Sequence, residues 1–147
     1  MAKKTGKFLV GALESCDLPD LGIVNMPVRV DTGATTSSLH VDNIEEFEKD
    51  GKNWVRFDIH PDIHNVETIV TTTARLCSRK TVKSSTADKE RRAVIKTAFS
   101  LGGQTWKIKL TLTNRSSMSY LMLLGREAMK DRIIVDPSVE FIASENP

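Results

Sequence analysis

The chain has 147 residues, of which 39% are hydrophobic and 27% are charged, as expected for one globular domain with a modest core. Its formal net charge is only +2, which argues against a nucleic-acid-binding or membrane-surface protein. No apolar run is long enough to cross a bilayer, and the run after the basic N-terminus is too short for a signal peptide. We therefore expect residues 1–147 to form a single domain with a cytoplasmic location.

Short apolar runs separated by turn residues predict an all-β chain. The predicted elements are strands at 8–13, 23–30, 38–41, 44–48, 54–60, 67–76, 80–83, 92–101, 105–113, 120–124 and 132–135, a candidate last strand at 139–142, and one helix at 126–130. Residues 16–22 are predicted to turn, Asp50-Gly51 is typical of a hairpin, and Gly102-Gly103 predicts a tight turn. Many short strands with frequent turns favour a β-barrel or a sandwich.

Two of the predicted strands alternate between apolar and polar residues. Val55, Phe57 and Ile59 are expected to face the core, while the residues between them face water. The stretch 105–113 alternates in the same way. Each of these strands is therefore predicted to have one buried face.

The strand at 23–30 leads into Asp31-Thr32-Gly33-Ala34, and Asp-Thr-Gly occurs only once in the chain. Two carboxylates that share one proton can activate a water and protonate an amide, because like charges at close range do not easily both ionise. Asp31 is a candidate for one such carboxylate. Thr32 offers a hydroxyl to a second loop, Gly33 lets backbone approach substrate closely, and Ala34 keeps the floor of the site small. Asp-Thr-Gly alone is a weak motif, and its plain interpretation is an ordinary turn.

A second stretch, Leu123-Leu124-Gly125-Arg126, strengthens the catalytic interpretation. The two stretches together resemble the retroviral proteases, or retropepsins. The resemblance implies an all-β, closed barrel with one short helix after Leu-Leu-Gly, in which this second stretch supports the active-site loop. A single loop supplies a single carboxylate, so catalysis would require a homodimer in which Asp31 meets the partner subunit's Asp31.

A closer resemblance is to a bacterial and archaeal family labelled ATP-dependent zinc proteases, of retropepsin-like fold. The resembling stretches span most of the chain and lie at 18–23, 31–40, 50–57, 110–118, 123–126 and 135–137. That family is associated with ATP-grasp ligases that add glutamate, and some members are implicated in trimming glutamate tails. The resemblance implies a peptide substrate and a functional link to such a ligase.

One position departs from the viral pattern. In the viral enzymes, an acidic residue two positions after the glycine pairs with the arginine of Leu-Leu-Gly-Arg, whereas this chain has Thr35 there. We therefore expect Arg126 to bond a different partner. The contacts of the viral dimer are not expected to carry over in detail.

Basic residues cluster around a hairpin predicted between 80 and 94. The plain interpretation is a solvated hairpin whose charges discourage edge pairing. The functional interpretation is an electropositive lid that attracts an acidic, glutamate-rich peptide, since arginine suits carboxylates. The candidate substrate-binding residues are Ala34, Arg79, Lys83, Ser84, Ser85, Arg91 and Arg92.

The residues give little support to zinc or ATP, which only the family label suggests. Cys16 and Cys77 stand far apart without a Cys-x-x-Cys motif and are predicted to be reduced thiols. His60 and His64 have helical spacing, but Pro61 between them opposes a continuous helix. No phosphate-binding glycine motif is present. We predict neither a cofactor nor a metal site.

Two functions of different classes stay open. The first is a homodimeric aspartic peptidase that hydrolyses peptide or glutamate-tail amide bonds with a water activated between the two copies of Asp31. The second is a catalytically silent retropepsin-like module that binds a peptide or a protein partner. We favour the peptidase, because the loop, its companion stretch and the all-β pattern occur together.

Overall fold

A computed structural model of the chain describes residues 6–61, 68–83, 89–114 and 120–145. The strands of these residues are β1 (Phe8–Val10), β2 (Leu13–Leu18), β3 (Ile23–Val30), β4 (Ser37–His40), β5 (Asp42–Lys49), β6 (Lys52–Ile59), β7 (Val70–Lys83), β8 (Lys89–Leu101), β9 (Gln104–Thr113), β10 (Met122–Leu124) and β11 (Ile133–Val135). A 3-10 turn spans Pro19–Leu21, and the short helix α1 spans Arg126–Met129. None of the helices described could span a membrane.

Six strands close into a barrel. Their order is β2, β3, β10, β4, β9 and β8, and the pairing of Asp17 in β2 with Ser100 in β8 closes the ring. Leu39, Leu110 and Met122 are fully buried, each from a different barrel strand. The closed all-β barrel with one short helix after Leu-Leu-Gly is therefore confirmed.

Beyond β8, the same sheet continues through β7 and β6 to the edge strand β5. On β6, Val55, Phe57 and Ile59 are all fully buried, which confirms the inward face predicted from their alternation. The two strands predicted at 67–76 and 80–83 are in fact one, β7. An irregularity after Leu76 lets this strand leave β6 and continue along β8 without ending.

The single strand predicted at 8–13 is also wrong. The strand is interrupted at Gly11 and Ala12. An added Cβ at Gly11 would lie 2.4 Å from the backbone oxygen of Val139. Ala12 N–H donates to the same oxygen at 2.7 Å. Strand β1 can therefore turn away and pair in parallel with β11, while β2 pairs with β3. Strand β2 also continues to Leu18, into the stretch that was predicted to turn.

The C-terminal segment is held by Glu14, a fully buried carboxylate in β2. Its oxygens accept hydrogen bonds from Ile142 N–H at 3.1 Å, Ala143 N–H at 3.2 Å and the Ser144 hydroxyl at 2.6 Å. A charge taken out of water needs such donors. The candidate strand at 139–142 does not form. Val139 N–H turns back to the backbone oxygen of Asp136 at 3.4 Å, Phe141 has a φ of 53°, and Ile142 N–H donates to Glu14.

We expect Glu14→Gln to lower the free energy of unfolding by about 2 kcal/mol, because an amide replaces one acceptor oxygen by a donor facing other donors. Denaturant unfolding measures the change. Glu48→Gln, on the exposed edge strand β5, is the matched control and should change it by less than about 0.5 kcal/mol. Equal effects of the two substitutions would contradict the role given to Glu14.

The two thiols differ in environment. Burial, and secondarily the charge of Asp17, raises the pKa of the Cys16 thiol far above its usual range, whereas Cys77 is exposed. Because the thiolate is the reactive form, we expect iodoacetamide at about pH 8 to alkylate Cys77 and spare Cys16 until the protein unfolds. Mass spectrometry should show one adduct on the native protein and two after denaturation. Two adducts on the native protein would contradict this prediction.

Candidate active site

Strand β3 carries Asp31 to a loop at the barrel surface. The strand runs parallel to β10, and Asp31 N–H donates to the backbone oxygen of Leu124 at 2.9 Å. The chain then turns at once, since Ala34 N–H donates to the backbone oxygen of Asp31 at 3.3 Å. Asp31 is half-buried, while Thr32 and Gly33 are exposed at the tip of the loop.

One oxygen of the Asp31 carboxylate is held by its own loop. Oδ1 accepts a hydrogen bond from Gly33 N–H at 2.9 Å. A Cβ at Gly33 would lie 3.2 Å from that oxygen, closer than an ordinary contact, so glycine suits the position. Among the described residues, Oδ2 has no hydrogen-bond donor. The carboxylate is thus oriented through one oxygen, and the other can meet a water or a second carboxylate.

The segment that begins α1 holds the other side of the loop. Arg126 N–H donates to the backbone oxygen of Ala34 at 2.8 Å, and Glu127 N–H donates to that of Thr35 at 3.0 Å. Both N–H groups belong to the first turn of a helix, where the backbone has no intrahelical acceptor. The loop oxygens thereby accept the first two N–H groups of the helix, and these hydrogen bonds hold the loop in place.

Gly125 lies where the two segments approach most closely. An added Cβ would stand 2.5 Å from the carbonyl carbon of Thr36 and 2.6 Å from its oxygen. Gly125 N–H donates to the buried Ser37 hydroxyl at 2.9 Å. Before it, Leu124 is fully buried beside Val30. The Leu-Leu-Gly segment thus provides a packed support and a backbone without side chain at the point of contact.

The Arg126 side chain spans the loop from outside. Nη1 donates to the backbone oxygen of Thr32 and Nη2 to the Thr35 hydroxyl, each at 3.0 Å. The arginine therefore bonds neutral oxygens of the Asp31 loop. The backbone oxygen of Thr32 is the different partner that was expected, but Arg126 also keeps a bond to position 35 through the Thr35 hydroxyl. Its guanidinium braces Thr32 directly behind the candidate catalytic residue.

A cleft of about 490 Å³ lies between the loop and the hairpin formed by β7 and β8. Its lining residues are Ala34, Thr35, Thr36, Ser38, Lys80, Thr81, Val82, Lys83, Arg92 and Leu123. Ala34, three residues after Asp31, is the first loop residue that lines the cleft, and residues of β7 and β8 line its other side.

The structure brings only part of the predicted substrate-binding set to this cleft. Ala34, Lys83 and Arg92 line it, and so does Lys80, which the sequence-based candidate set omitted. Lys80 is the cross-strand neighbour of Arg92, so strand register was the signal that could have found it. Register was not known from sequence alone.

The remaining candidates lie elsewhere. Arg79 forms an ion pair with Glu46 of the edge strand β5. Arg91 is exposed and follows the alternation of β8 onto the face opposite its neighbour Arg92. Ser84 and Ser85 lie outside the described residues.

A zinc site was tested against the side chains present. His60 Nε2 lies 2.7 Å and His40 Nε2 lies 3.9 Å from the Asp42 carboxylate, and His64 lies outside the described residues. Within the part of the chain that is described, no group of three or more His, Cys, Asp or Glu side chains could hold a metal ion. These side chains do not fit a zinc centre.

We expect Gly125→Ala to lower the free energy of unfolding by about 1–3 kcal/mol, because the new methyl group meets backbone that cannot rotate away. Gly33→Ala should cost less, since its Cβ meets only a carboxylate oxygen at 3.2 Å. Denaturant unfolding of both variants checks the order. A Gly125→Ala variant as stable as the wild type would show that the two segments are not tightly opposed.

Comparison with known proteins gives matches along almost the whole chain. The family described as "Retropepsin-like aspartic endopeptidase RimB" matches residues 9–146. A protein of Shewanella pealeana named "Probable alpha-L-glutamate ligase" is 45% identical over 139 residues, which cover 95% of this chain and 30% of that protein. A protein of the same name from Desulfotalea psychrophila is 41% identical over 145 residues, covering 99% of this chain and 31% of the relative. The chain thus spans about 30% of the length of these curated relatives.

Among solved structures, the fold is similar to that of a Legionella pneumophila protein described as having unknown function. The TM-score is 0.76 at 30% sequence identity, and the match covers 92% of this chain and 97% of the other. The closed barrel therefore agrees with the family match. The chain belongs to the RimB-like family of retropepsin-like proteins.

Proposed function

We propose that this protein is an aspartic peptidase that acts as a homodimer, with the catalytic water held between Asp31 and the partner subunit's Asp31. The observation that carries the proposal is the state of the Asp31 carboxylate. One of its oxygens is fixed by Gly33 N–H at 2.9 Å, and the other has no donor among the described residues. Such a group is oriented at the surface and is incomplete by itself.

A second copy would complete the site, because the chain contains a single Asp-Thr-Gly loop. Thr32 and Gly33 are exposed at the tip, where a symmetric partner would meet them. Leu9 and Ile134, which are paired neighbours on β1 and β11, are 50% and 51% exposed. They supply apolar surface suited to burial in such a dimer.

The proposed chemistry needs one carboxylate ionised and the other protonated. The ionised group takes a proton from the water as the water oxygen bonds to the amide carbon. The protonated group gives its proton to the carbonyl oxygen, which forms a tetrahedral intermediate. The carboxyl group that took the proton of the water then gives it to the amide nitrogen, and the carbon–nitrogen bond breaks. One hydroxyl of the intermediate returns a proton to the other carboxylate, and the products are a carboxylic acid and an amine.

The substrate of the proposed reaction is an acidic peptide, including amide bonds of a glutamate tail. Lys80, Lys83 and Arg92 line the cleft next to the loop, and a positive cleft raises the local concentration of an anionic substrate. The relatives' name concerns glutamate ligation, which supports the same substrate class. We include in the proposal a cytoplasmic location and a functional link to a glutamate-adding ligase.

We expect Asp31→Asn to lower kcat by about 10²–10⁴-fold or more, because the amide is nearly isosteric but cannot accept the proton of the water. Hydrolysis of a mixed peptide library, followed by mass spectrometry, measures the loss. Asp50→Asn is the matched control, since it removes one carboxylate at the exposed turn between β5 and β6. Full turnover by Asp31→Asn would exclude the proposed mechanism.

Mixing the chains tests the shared site separately. When wild-type and Asp31→Asn chains are mixed in equal amounts and allowed to exchange, about a quarter of random dimers retain both carboxylates. Activity per wild-type chain should therefore fall by about half. Constant activity per wild-type chain would mean that one subunit is sufficient and would refute the dimeric site.

One observation favours a second function, a catalytically silent module that binds a peptide or a protein partner. The chain supplies a single carboxylate, and related sequence occurs as about 30% of longer proteins named as ligases. Peptide binding with no hydrolysis by the wild type at any pH, in samples shown to be dimeric, would select this alternative.

A further inference from the structure

Arg92 is a buried cation on the wall of the cleft. Arg92 is 7% exposed, although it lies on the hairpin strand β8 directly after the exposed Arg91. Nε donates to Glu90 Oε2 at 3.0 Å, and Nη1 lies 3.5 Å from the Thr111 hydroxyl. A guanidinium carries five N–H groups in a fixed fork. Among the described residues, the second N–H of Nη1 and both of Nη2 have no acceptor.

The position of this guanidinium is tied to the Asp31 loop. Thr111, which Arg92 contacts, donates its hydroxyl to the backbone oxygen of Ser37 at 3.1 Å. Ser37 in turn accepts the Gly125 N–H that supports the loop. A ligand bound to Arg92 would therefore lie in a fixed relation to Asp31.

A second cation faces Arg92 across the hairpin. Lys80 pairs directly with Arg92 in the register of β7 and β8, so the two side chains lie on the same face, and both line the cleft. Like charges directly opposite each other in a sheet are destabilising. Glu90 offsets one of these charges through its ion pair with Arg92, and Lys80 has no ion pair among the described residues. Lys83 lines the same cleft, so three cations stand against the one carboxylate of Glu90, and an added anion would offset part of the excess positive charge.

We propose that Arg92 and Lys80 form a carboxylate-binding subsite that makes the protein select glutamate over glutamine beside the bond to be cleaved. This inference rests on the proposed function for the identity of the ligand as a peptide. Arg92 binds the side-chain carboxylate with the free edge of its fork, and Lys80 adds charge from the opposite strand. Arg92 thus determines specificity, while Asp31 carries the chemistry.

A purely structural ion pair is the competing interpretation of Arg92. Such a pair needs no free N–H groups, no opening to a cleft and no second cation opposite it. The Arg92–Glu90 pair also contributes little net stability, because the Arg92 side chain is desolvated and the Glu90 side chain is 41% exposed. The two interpretations differ in one measurable property, because only a subsite discriminates between a carboxylate and an amide of the same shape.

Binding can be tested without hydrolysis by using the Asp31→Asn protein. The probes are α-linked pentaglutamate and pentaglutamine, measured by titration calorimetry at low salt. We expect pentaglutamate to bind about 10- to 100-fold more tightly, and Arg92→Lys to remove most of that difference while leaving pentaglutamine unchanged. Arg56→Lys is the matched control, since Arg56 pairs with Glu45 outside the cleft.

A second variant covers the case in which Arg92→Lys does not fold. Lys80→Gln changes an exposed residue of the same subsite and should lower pentaglutamate affinity by several-fold. Lys96→Gln removes one charge from an exposed position of β8 away from the cleft and should leave the affinity unchanged. Equal effects of the two lysine substitutions would reduce the observation to general charge attraction and overturn the subsite.

The failures of the two proposals are distinguishable. If wild type hydrolyses peptides and Asp31→Asn does not, but glutamate and glutamine peptides behave alike, the subsite is wrong and the peptidase remains. If pentaglutamate binds in the manner described and the wild type never hydrolyses it or any peptide, the subsite remains and the peptidase is wrong. An unchanged glutamate preference in folded Arg92→Lys and Lys80→Gln would also overturn the subsite.

Discussion

The backbone hydrogen bonds between the Asp31 loop and the segment 124–126 are the constraint on which the candidate site depends. Asp31 N–H reaches the backbone oxygen of Leu124, and Arg126 N–H reaches that of Ala34, so the loop is held at both ends. The approach is possible because Gly125 has no side chain at the contact. These hydrogen bonds join residues that are more than ninety positions apart in the chain. They hold the exposed turn in place, and the turn positions the Asp31 carboxylate.

Much of this arrangement could be predicted because its signals are local. Strand β3 was predicted at its observed bounds, and its apolar run identified where Asp31 would emerge. The alternation at Val55, Phe57 and Ile59 predicted a buried face because a strand places every second residue on one side. The absence of an acidic residue at position 35 predicted a different partner for Arg126, which is partly right, because Arg126 bonds the backbone oxygen of Thr32 but also the Thr35 hydroxyl.

The predicted strands were wrong where residues distant in the chain decide the local conformation. The strand predicted at 8–13 ran through Gly11, but the backbone of Val139 occupies the space beside this glycine. The apolar residues at 139–142 fitted a strand, yet Val139 N–H bonds the backbone oxygen of Asp136 and Ile142 N–H bonds the buried carboxylate of Glu14. The contacts of Gly11 with Val139 and of Ile142 with Glu14 cannot be recognised from a short stretch of sequence, because the residues that form each contact are far apart in the chain. Register has the same limitation, which is why Lys80 was missing from the candidate substrate-binding residues.

The basic cluster shows how period and register change a functional argument. Read as a sequence, Arg91 and Arg92 are equivalent members of one positive stretch. A strand sends consecutive side chains to opposite faces, so one is exposed outside the hairpin and the other is buried beside the cleft. Charge density alone would attract any anion to this hairpin. Discrimination between a carboxylate and an amide requires a cation that is fixed and partly withdrawn from water, and Arg92 has both properties because Glu90 and Thr111 hold it.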